Sequence, residues 1–366
     1  MSPSASHDPV PHMSGSTMTR TEPVSRMAEA PALQRGAPFV AADVGGTHAR
    51  VALVRRGRDG AIEILDHRQY ACADYPSLAP IVADFLAAPG RPQVHDAVIG
   101  CAGVRRGDLV VGTNLAWPVS LSELRALGID RVVVVNDFVA VAHAVQCMRD
   151  GDSLLPGDDR GGPLPPGPTL VVGPGTGLGA AIRVPHGEGA VVLPCEAGQL
   201  AFAPGNAREI AVLAKMLETA PYVSSEQVVS GPGLFKLYSA LCAIDGVDPR
   251  QRAPSAVVDA ARRGDDAHAV EAVQVFCEAF GSLLGDLVIA SAATSVYIAG
   301  GIVPRIRDLL DASAFHARFV NKGLMRQMLE QVPVRLIDDP HNGVIGAAAW
   351  YLLAAGDLKT SEPQDG

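Results

Sequence analysis

The stretch Phe39-Val-Ala-Ala-Asp-Val-Gly-Gly-Thr-His-Ala-Arg-Val-Ala-Leu-Val54 places two apolar runs on either side of a Gly-Gly turn. Short apolar runs that flank paired glycines are typical of a β-hairpin, and Asp43 stands where the first strand ends. The arrangement returns at residues 169–184, where Gly173-Pro-Gly-Thr-Gly-Leu-Gly179 separates two further strand-like runs. The chain is therefore predicted to contain two α/β halves that each begin with a glycine hairpin, as after duplication of one unit.

Alternating strands and helices are predicted after each hairpin, which indicates an α/β fold with mixed sheets flanked by helices. Arg131-Val-Val-Val-Val135 carries four β-branched residues in succession and is expected to be buried on both faces, in the centre of its sheet. Asn136 and Asp137 follow at its carboxyl end, where α/β sheets hold ligands. Residues 267–292 show apolar side chains at helical spacing and predict a long core helix.

The composition is typical of a globular protein that binds a small molecule. The 366 residues are 48% hydrophobic and 19% charged, enough to bury the cores of two domains. A net charge of -9 argues against a nucleic-acid partner, because binding to phosphates requires clustered Lys and Arg. Six cysteines without a C-x-x-C pair favour a reducing compartment, and a cytoplasmic location is expected.

Both ends of the chain are expected to be disordered. Residues 1–37 are rich in Ser, Pro, Thr and Met and lack the apolar core of a secretory signal. Residues 357–366 are polar and are expected to fray. Elsewhere, charges or glycines interrupt every apolar run before the ~20 residues that a transmembrane helix needs, so no membrane partner is expected.

The first glycine hairpin is a candidate phosphate site. Gly45, Gly46 and Thr47 offer backbone N–H groups that a phosphate can approach closely. Asp43 beside them can hold Mg²⁺ through water. A structural turn without a ligand is the alternative, since paired glycines in hairpins are usually structural.

The second hairpin is the stronger candidate, because Gly175, Thr176 and Gly177 supply several N–H donors and a hydroxyl in one turn. The same residues fit the dinucleotide-binding pattern G-x-G-x-x-A, with Glu196 near the spacing of a ribose-binding acid. That interpretation requires a helix directly after the turn, whereas the following residues are strand-like, so it is rejected. The P-loop sequence G-x-x-x-x-G-K-[ST] does not occur.

A third glycine site, Gly300 and Gly301, follows the predicted strand at residues 295–299. Bare backbone at this point would let an adenine and a ribose lie flat. A strand-to-helix turn explains the pair equally well when it is taken alone. Together with the two hairpins it makes three glycine sites at strand ends, which are predicted to surround ATP.

A sugar requires converging polar groups, since each buried hydroxyl must be paired with a donor or an acceptor. The candidates for this role are Asn136, Asp137, Glu196, Gln199, Glu226 and Asn114. Asp137 can equally be a helix cap and Asn114 a turn residue. Any single Glu is usually a solvated surface carboxylate.

Six motifs, in this order, resemble those of bacterial glucokinases of the proteobacterial type, within the hexokinase and actin-like ATPase superfamily. The motifs are Asp43-Val-Gly-Gly-Thr, Asn136-Asp-Phe, Gly175-Thr-Gly-Leu-Gly, Glu196-x-Gly198, Glu226 with Ser230-Gly-Pro-Gly233, and Ala299-Gly-Gly-Ile-Val-Pro304. The resemblance covers the chain from Phe39 to about Ala355. The cysteine-rich zinc motif of the other bacterial glucokinase class is absent from this sequence.

The resemblance implies a two-domain, actin-like (ribonuclease H-like) fold with ATP and a hexose in the cleft between the domains. The small domain would comprise residues 38–146 and 340–356, and the large domain residues 147–339. The implied reaction transfers a phosphoryl group from ATP, with Mg²⁺, to the 6-hydroxyl of glucose, and the implied assembly is a homodimer. By position in the motifs, Asp137 would be the general base, while Asn136, Glu196 and Glu226 would bind sugar hydroxyls.

One position departs from the family pattern. Where the family usually shows Gly-Glu-Gly-Gly-His, this chain has Cys195-Glu-Ala-Gly-Gln199. Gln, like neutral His, can both donate and accept a hydrogen bond, which favours retained glucose binding with altered strength. The alternatives are a kinase for another hexose and a sugar-binding regulatory homologue with weak turnover. An actin-like ATPase that acts on no sugar is disfavoured by the cluster of carboxylates and amides.

Overall fold

The computed structural model describes residues 36–355 apart from 59, 113–114, 148–151, 155–164 and 188. The expected disordered extension, residues 1–37, lies outside the described residues except for its last two. The expected frayed tail, residues 357–366, lies outside them altogether. All six cysteines lie within the described part and are free thiols.

The first half of the chain is built around a five-stranded mixed sheet. Its elements in chain order are β1 (Phe39–Val44), β2 (His48–Arg56), β3 (Ile62–Ala71), α1 (Leu78–Leu86), β4 (Asp96–Cys101), β5 (Val104–Arg106), β6 (Leu109–Val111), β7 (Val119–Ser120), α2 (Leu121–Arg125), β8 (Arg131–Val135) and α3 (Asp137–Ala144). The sheet order is β3-β2-β1-β4-β8, and β5, β6 and β7 form a separate small antiparallel sheet. Strand β1 is antiparallel to β2 and parallel to β4, which in turn is parallel to β8.

The expectation that residues 131–135 form a central strand is wrong, because β8 is the edge strand of this sheet. Val132 and Val135 are buried, whereas Val133 and Val134 are half-buried and pack on opposite faces. A valine-rich sequence indicates that other parts of the protein pack on both faces of the strand. It does not report whether another strand lies beyond the edge.

The second half contains a six-stranded sheet and most of the helices. Its elements are β9 (Asp152–Ser153), β10 (Thr169–Pro174), β11 (Leu178–His186), β12 (Gly189–Cys195), α4 (Ala207–Leu217), α5 (Gly231–Ile244), α6 (Pro254–Arg263), α7 (Ala267–Ser291), β13 (Ser295–Ile298), α8 (Arg307–Asp311), α9 (Phe315–Val320), α10 (Arg326–Leu329), β14 (Val334–Leu336) and α11 (Asn342–Ala354). The sheet order is β12-β11-β10-β13-β14-β9.

The two sheets share one topology. In each, a glycine hairpin is extended by a third antiparallel strand on one side and by two parallel strands on the other. The sheet of the second half differs by the additional edge strand β9. The predicted duplication of one α/β unit agrees with this repeated strand order.

Helix α3 lies between the two sheets. Ala140 on this helix packs with α11 against the first sheet, and Gly346 of α11 lies directly on its backbone carbonyl. Val141, Ala142 and Val145 pack instead against β10, β11 and β13 of the second sheet. The first turn of α3, with Asp137, therefore stands where the two halves of the chain meet.

Helix α7 is the central helix of the largest apolar core. In the described part of the chain it is the one helix long and apolar enough to cross a membrane. However, 72% of that apolar stretch is buried inside the protein, as is typical of a core helix. Asp266 caps its first turn by accepting hydrogen bonds from the N–H groups of His268 and Ala269.

Candidate active site

Asp43 lies at the end of β1, next to the first glycine turn. Strand pairing places Arg50 directly opposite it, and the Arg50 guanidinium is 3.5 Å from the Asp43 carboxylate. On the other side, a β-carbon at Gly343 in the first turn of α11 would lie 2.5 Å from the carboxyl carbon. Burial raises the pKa of Asp43, and the Arg50 charge opposes this rise. The carboxylate is thus held between a cation and a helix N-terminus.

The turn formed by Gly45, Gly46 and Thr47 is fastened from beneath by Cys72. The Cys72 N–H donates to the Thr47 carbonyl at 2.9 Å, and its thiol donates to the Gly45 carbonyl at 3.4 Å. Gly45 and Thr47 are exposed. The turn therefore presents a supported surface to a ligand.

Asn136 and Asp137 join β8 to α3, and their side chains have different tasks. The Asn136 Oδ1 caps α3 by accepting the Val139 N–H at 3.1 Å. The Asp137 carboxylate accepts the adjacent Phe138 N–H at 2.9 Å and is also hydrogen-bonded by its own backbone N–H. The cap that the sequence allowed for Asp137 is therefore supplied by Asn136, which leaves the Asp137 carboxylate available for chemistry.

Asp137 has a strongly perturbed acidity. Burial, the charge of Asp43 and, more weakly, the charge of Glu196 raise its pKa to about 6, against the lowering effect of the Phe138 N–H. Asp43 belongs to the first half of the chain and Glu196 to the second. The carboxylates of both halves therefore face Asp137, and its pKa lies where a general base is effective near neutral pH.

Phe138 connects this carboxylate to the second glycine hairpin. A β-carbon at Gly179 would overlap the Phe138 ring, so the ring rests on bare backbone at the start of β11. Only glycine allows this close approach. The residue next to Asp137 is thereby packed on the strand that leaves the turn with Gly175, Thr176 and Gly177.

The second hairpin turn is closed by a hydrogen bond from the Gly175 N–H to the Gly177 carbonyl at 2.7 Å, and Thr176 is exposed. Strand β11 begins at Leu178, immediately after the turn. No helix follows, so the rejection of the dinucleotide-binding interpretation is confirmed.

Glu226 lies in a single helical turn, Ser225–Gln227, and is half-buried. Its Oε2 accepts the Leu178 N–H at 2.8 Å, although 48 residues separate them in sequence. Gly198 packs against the same pair of groups. Glu226 is therefore not a solvated surface carboxylate, since it contacts the second hairpin.

Glu196 and Gln199 stand at the two ends of the neighbouring turn Ala197–Gln199, and both side chains are exposed. The Gln199 N–H donates to the Glu196 carbonyl at 3.0 Å, and the Tyr222 hydroxyl donates to the Gln199 carbonyl at 2.6 Å. The backbone of this turn is thus held in place, while both side chains are available to a ligand.

Gly300 and Gly301 follow β13 beside the second hairpin. Gly300 has φ +89°, and a β-carbon there would lie 2.8 Å from the carbonyl of Pro174 at the end of β10. No atom lies within 4 Å of the position that a β-carbon at Gly301 would occupy, so its backbone faces open space. A strand-to-helix turn is present here, and its backbone is accessible at Gly301.

A metal ion would find few protein ligands in this region. The described residues contain no group of three or more His, Cys, Asp or Glu side chains able to hold one. Asp43 and Asp137 lie close enough for the first charge to raise the pKa of the second. One or two carboxylates with phosphate and water oxygens fit Mg²⁺, which keeps several waters and needs no cage of protein ligands.

Several residues of this region were not singled out from the sequence. Cys101 ends β4 next to Gly100, which pairs with Asp43, and burial with the charges of Asp137 and Asp43 raises its pKa to about 12. Hairpin register alone would have identified Arg50. Phe138 was quoted as part of the motif Asn136-Asp-Phe, but no role was expected for it, and no local signal identifies Cys72. Asn114, the sixth predicted sugar ligand, lies outside the described residues.

Comparison with known proteins identifies the family. The family model for glucokinase matches residues 40–354. A glucokinase-like protein of Xylella fastidiosa strain 9a5c is 45% identical over 320 residues, covering 86% of this chain and 94% of its own length. A glucokinase of Chromobacterium violaceum is 39% identical, covering 85% of this chain and 88% of its own length. The crystal structure of a glucokinase from an Antarctic psychrotroph superimposes with a TM-score of 0.71 at 32% identity, covering 86% and 98% of the two chains. The expected α/β actin-like fold is thereby confirmed.

Proposed function

The chain belongs to the glucokinase family, and we propose from this that it transfers the terminal phosphoryl group of ATP to the 6-hydroxyl of glucose, with Asp137 as general base. The observation that carries the assignment of the base is the Asp137 carboxylate itself. It lies at a strand end between Asp43 and Glu196, with a pKa raised to about 6. A carboxylate of this acidity is ionised at neutral pH and is a stronger base than an ordinary Asp.

In the proposed reaction, the 6-hydroxyl oxygen attacks the terminal phosphorus of ATP while the bond from that phosphorus to the leaving oxygen of ADP breaks. The hydroxyl proton passes to the Asp137 carboxylate and leaves to solvent after product release. Because phosphoryl transfer depends mainly on alignment and charge stabilisation, the protein must hold both substrates rigidly. Packing of Phe138 on Gly179 supports such alignment, since it joins the proposed base to the strand that follows the proposed phosphate-binding turn.

The sugar is proposed to bind Asn136, Glu196, Gln199, Glu226 and Asn114. Since Asn136 uses its Oδ1 to cap α3, its amide N–H₂ is the group left to donate to a hydroxyl. Glu196 and Glu226 accept hydrogen bonds from sugar hydroxyls, and Gln199 can do either. This combination of amides and carboxylates suits a polar, uncharged ligand. All five side chains can pair with hydroxyls, and none carries the positive charge that would bind an anionic ligand.

ATP is proposed to lie across the three glycine sites. Gly45, Gly46 and Thr47 with Gly175, Thr176 and Gly177 would bind phosphates, while Gly300 and Gly301 would face the nucleoside. Asp43 would hold Mg²⁺ through water. When bound, Mg²⁺ neutralises part of the phosphate charge.

The two sheets are proposed to belong to two domains, residues 38–146 with 340–356 and residues 147–339. Their closure on the substrates would exclude water and limit the hydrolysis of ATP. We further propose a homodimer that works in the cytoplasm, where thiols such as the six free cysteines stay reduced.

A coupled assay of ADP formation tests this function with glucose, mannose, fructose and N-acetylglucosamine. Glucose is expected to give the highest kcat/KM. The Asp137→Asn variant is expected to lower kcat by about 10² to 10⁴-fold while remaining folded, since a positioned base contributes about this factor. Near-normal kcat in this variant would contradict the role of Asp137. Glucose binding without turnover by the unmodified protein would favour the regulatory homologue.

A further inference from the structure

The carboxylate of Glu226 contacts the phosphate-binding hairpin directly. Its Oε2 accepts the N–H of Leu178, the first residue of β11 after the turn that carries Gly175 and Gly177. Within the described residues its other oxygen, Oε1, has no hydrogen-bond partner. One carboxylate therefore has one oxygen on the hairpin and one oxygen free for a sugar hydroxyl.

A second hydrogen bond ties the same segment to the other side of the turn. The Gly231 N–H donates to the Gly175 carbonyl at 2.9 Å. Between the two attachments, the Ser230 hydroxyl donates to the Glu226 carbonyl at 2.7 Å and accepts the Gly233 N–H at 3.0 Å. Residues 226–231 thus form a clip that holds the hairpin at the first residue of its turn and again just after the turn.

The clip and the turn that contains Gly198 have little room to move independently of each other. A β-carbon at Gly198 would lie 2.5 Å from the Leu178 carbonyl and 3.2 Å from the Glu226 Oε2. Gly198 belongs to the turn that carries Glu196 and Gln199. The turn with the candidate sugar ligands is therefore packed against the same contact, and close-packed groups move together.

We propose that Glu226 is a positioning residue that couples sugar binding to ATP binding through the Leu178 N–H. A sugar hydroxyl bound at Oε1 fixes the plane of the carboxylate, and Oε2 then holds the hairpin in the arrangement that receives the phosphates. Bound phosphates fix the same contact from the other side, so the coupling acts equally in both directions. The inference rests on the proposed sugar-binding role of Glu226.

A backbone substitution separates this coupling from direct contact with the sugar. Replacing Leu178 by its α-hydroxy acid turns the amide into an ester, which removes the N–H and keeps the side chain and Glu226, but it also makes the Gly177 carbonyl a weaker acceptor for the Gly175 N–H. Glu226→Ala removes the same contact and leaves that carbonyl unchanged, so both variants are expected to lose the coupling. The dissociation constant of β,γ-imido-ATP with Mg²⁺ is measured by calorimetry with and without saturating glucose. Glucose is expected to lower the dissociation constant of the nucleotide about 5-fold or more in the unmodified protein and less than about 2-fold in the ester variant. The affinity for glucose alone is expected to change less than about 2-fold.

The matched control is the same ester at Val296 in β13. The Val296 N–H donates to the Pro333 carbonyl at 2.9 Å, and this hydrogen bond does not involve Glu226. This control loses a hydrogen bond of the same sheet and is expected to keep the full coupling. Side-chain variants supply an independent arm. Glu226→Gln, which can still accept the Leu178 N–H, is expected to retain coupling, whereas Glu226→Ala is expected to lose it.

Three results overturn the inference. The first is full coupling in the Leu178 ester variant. The second is that this variant binds the nucleotide more weakly by the same factor with and without glucose. The third is that the unmodified protein shows no coupling. Failure of the proposed function looks different, because the unmodified protein would then not phosphorylate glucose in the coupled assay, whether or not it binds glucose.

Discussion

At the scale of single residues, the chemistry of Asp137 depends on what surrounds its carboxylate. Burial and the charge of Asp43 raise its pKa to about 6, so the carboxylate proposed as the base is half protonated at that pH. We expect log kcat/KM for glucose to fall by about one unit per pH unit below 6 and to be level above it. A pH profile recorded between pH 4.5 and 8 checks this. A decline that begins only near pH 4 would show that the carboxylate is not perturbed as the structure indicates.

The same perturbation affects stability. The pKa of Asp137 is higher in the folded protein than in the unfolded chain, so the unfolded state binds fewer protons between about pH 4 and 6 and stability falls as pH rises through this range. We expect Asp137→Asn to raise the free energy of unfolding at pH 7 by about 1–3 kcal/mol relative to the unmodified protein. The gain should vanish below about pH 4. Denaturant titrations at pH 4 and 7 measure it, and an equal effect at both pH values would contradict the explanation.

Gln199 is the residue on which sugar preference is expected to depend. Its side chain is exposed while its carbonyl is fixed by the Tyr222 hydroxyl, so a substitution changes the group presented to a sugar without moving the turn. We expect Gln199→His to lower KM for glucose several-fold and to leave kcat within about 2-fold, since it changes binding and not the base. Tyr222→Phe removes the hydroxyl that holds the Gln199 carbonyl and so measures how much the position of the turn contributes to KM. If the Gln199→His variant shows unchanged KM and unchanged preference among hexoses, Gln199 is a neutral replacement.

At the scale of elements, the contact between α3 and the second hairpin carries the alignment of the site. A methyl group at Gly179 overlaps the Phe138 ring, and moving that ring moves the neighbouring Asp137. We expect Gly179→Ala to lower kcat about 10²-fold, a factor typical of a displacement of about 1 Å at a reacting group. Adding Phe138→Ala relieves the overlap and should recover part of kcat. Thermal melts serve as the control for folding, and normal kcat in the single variant would show that the ring moves independently of the base.

At the scale of the whole molecule, each half of the chain has its own sheet, and α3 packs on both. The proposed two-domain arrangement predicts that glucose draws the halves together, because its proposed ligands come from both of them. Small-angle scattering should show a smaller radius of gyration with saturating glucose than without it. Sorbitol at the same concentration is the control. An unchanged radius of gyration with bound glucose would indicate a cleft that is already closed.

Much of the architecture could be predicted from sequence because its signals are local. Apolar runs around the turns at residues 45–47 and 173–179 identified both hairpins, and the lack of a helical pattern after Gly177 correctly excluded a dinucleotide-binding fold. Apolar spacing predicted α7 to within one residue of its end. The prediction that β8 lies in the centre of its sheet was wrong, since an edge strand and a central strand can have the same valine-rich sequence.

The sequence by itself determined the hairpins, the long helix α7 and the candidate polar residues, because all of these depend on neighbours along the chain. It did not predict that α4, α5 and α6 precede α7 without a strand of the sheet between them. Only the tertiary structure decided that Asn136 and not Asp137 caps α3, that Phe138 rests on Gly179, and that Glu226 holds the Leu178 N–H. The raised pKa of Asp137 belongs to this second group. Such contacts join residues tens of positions apart, and their energies depend on distances and burial that exist only once the two halves of the chain have packed around α3.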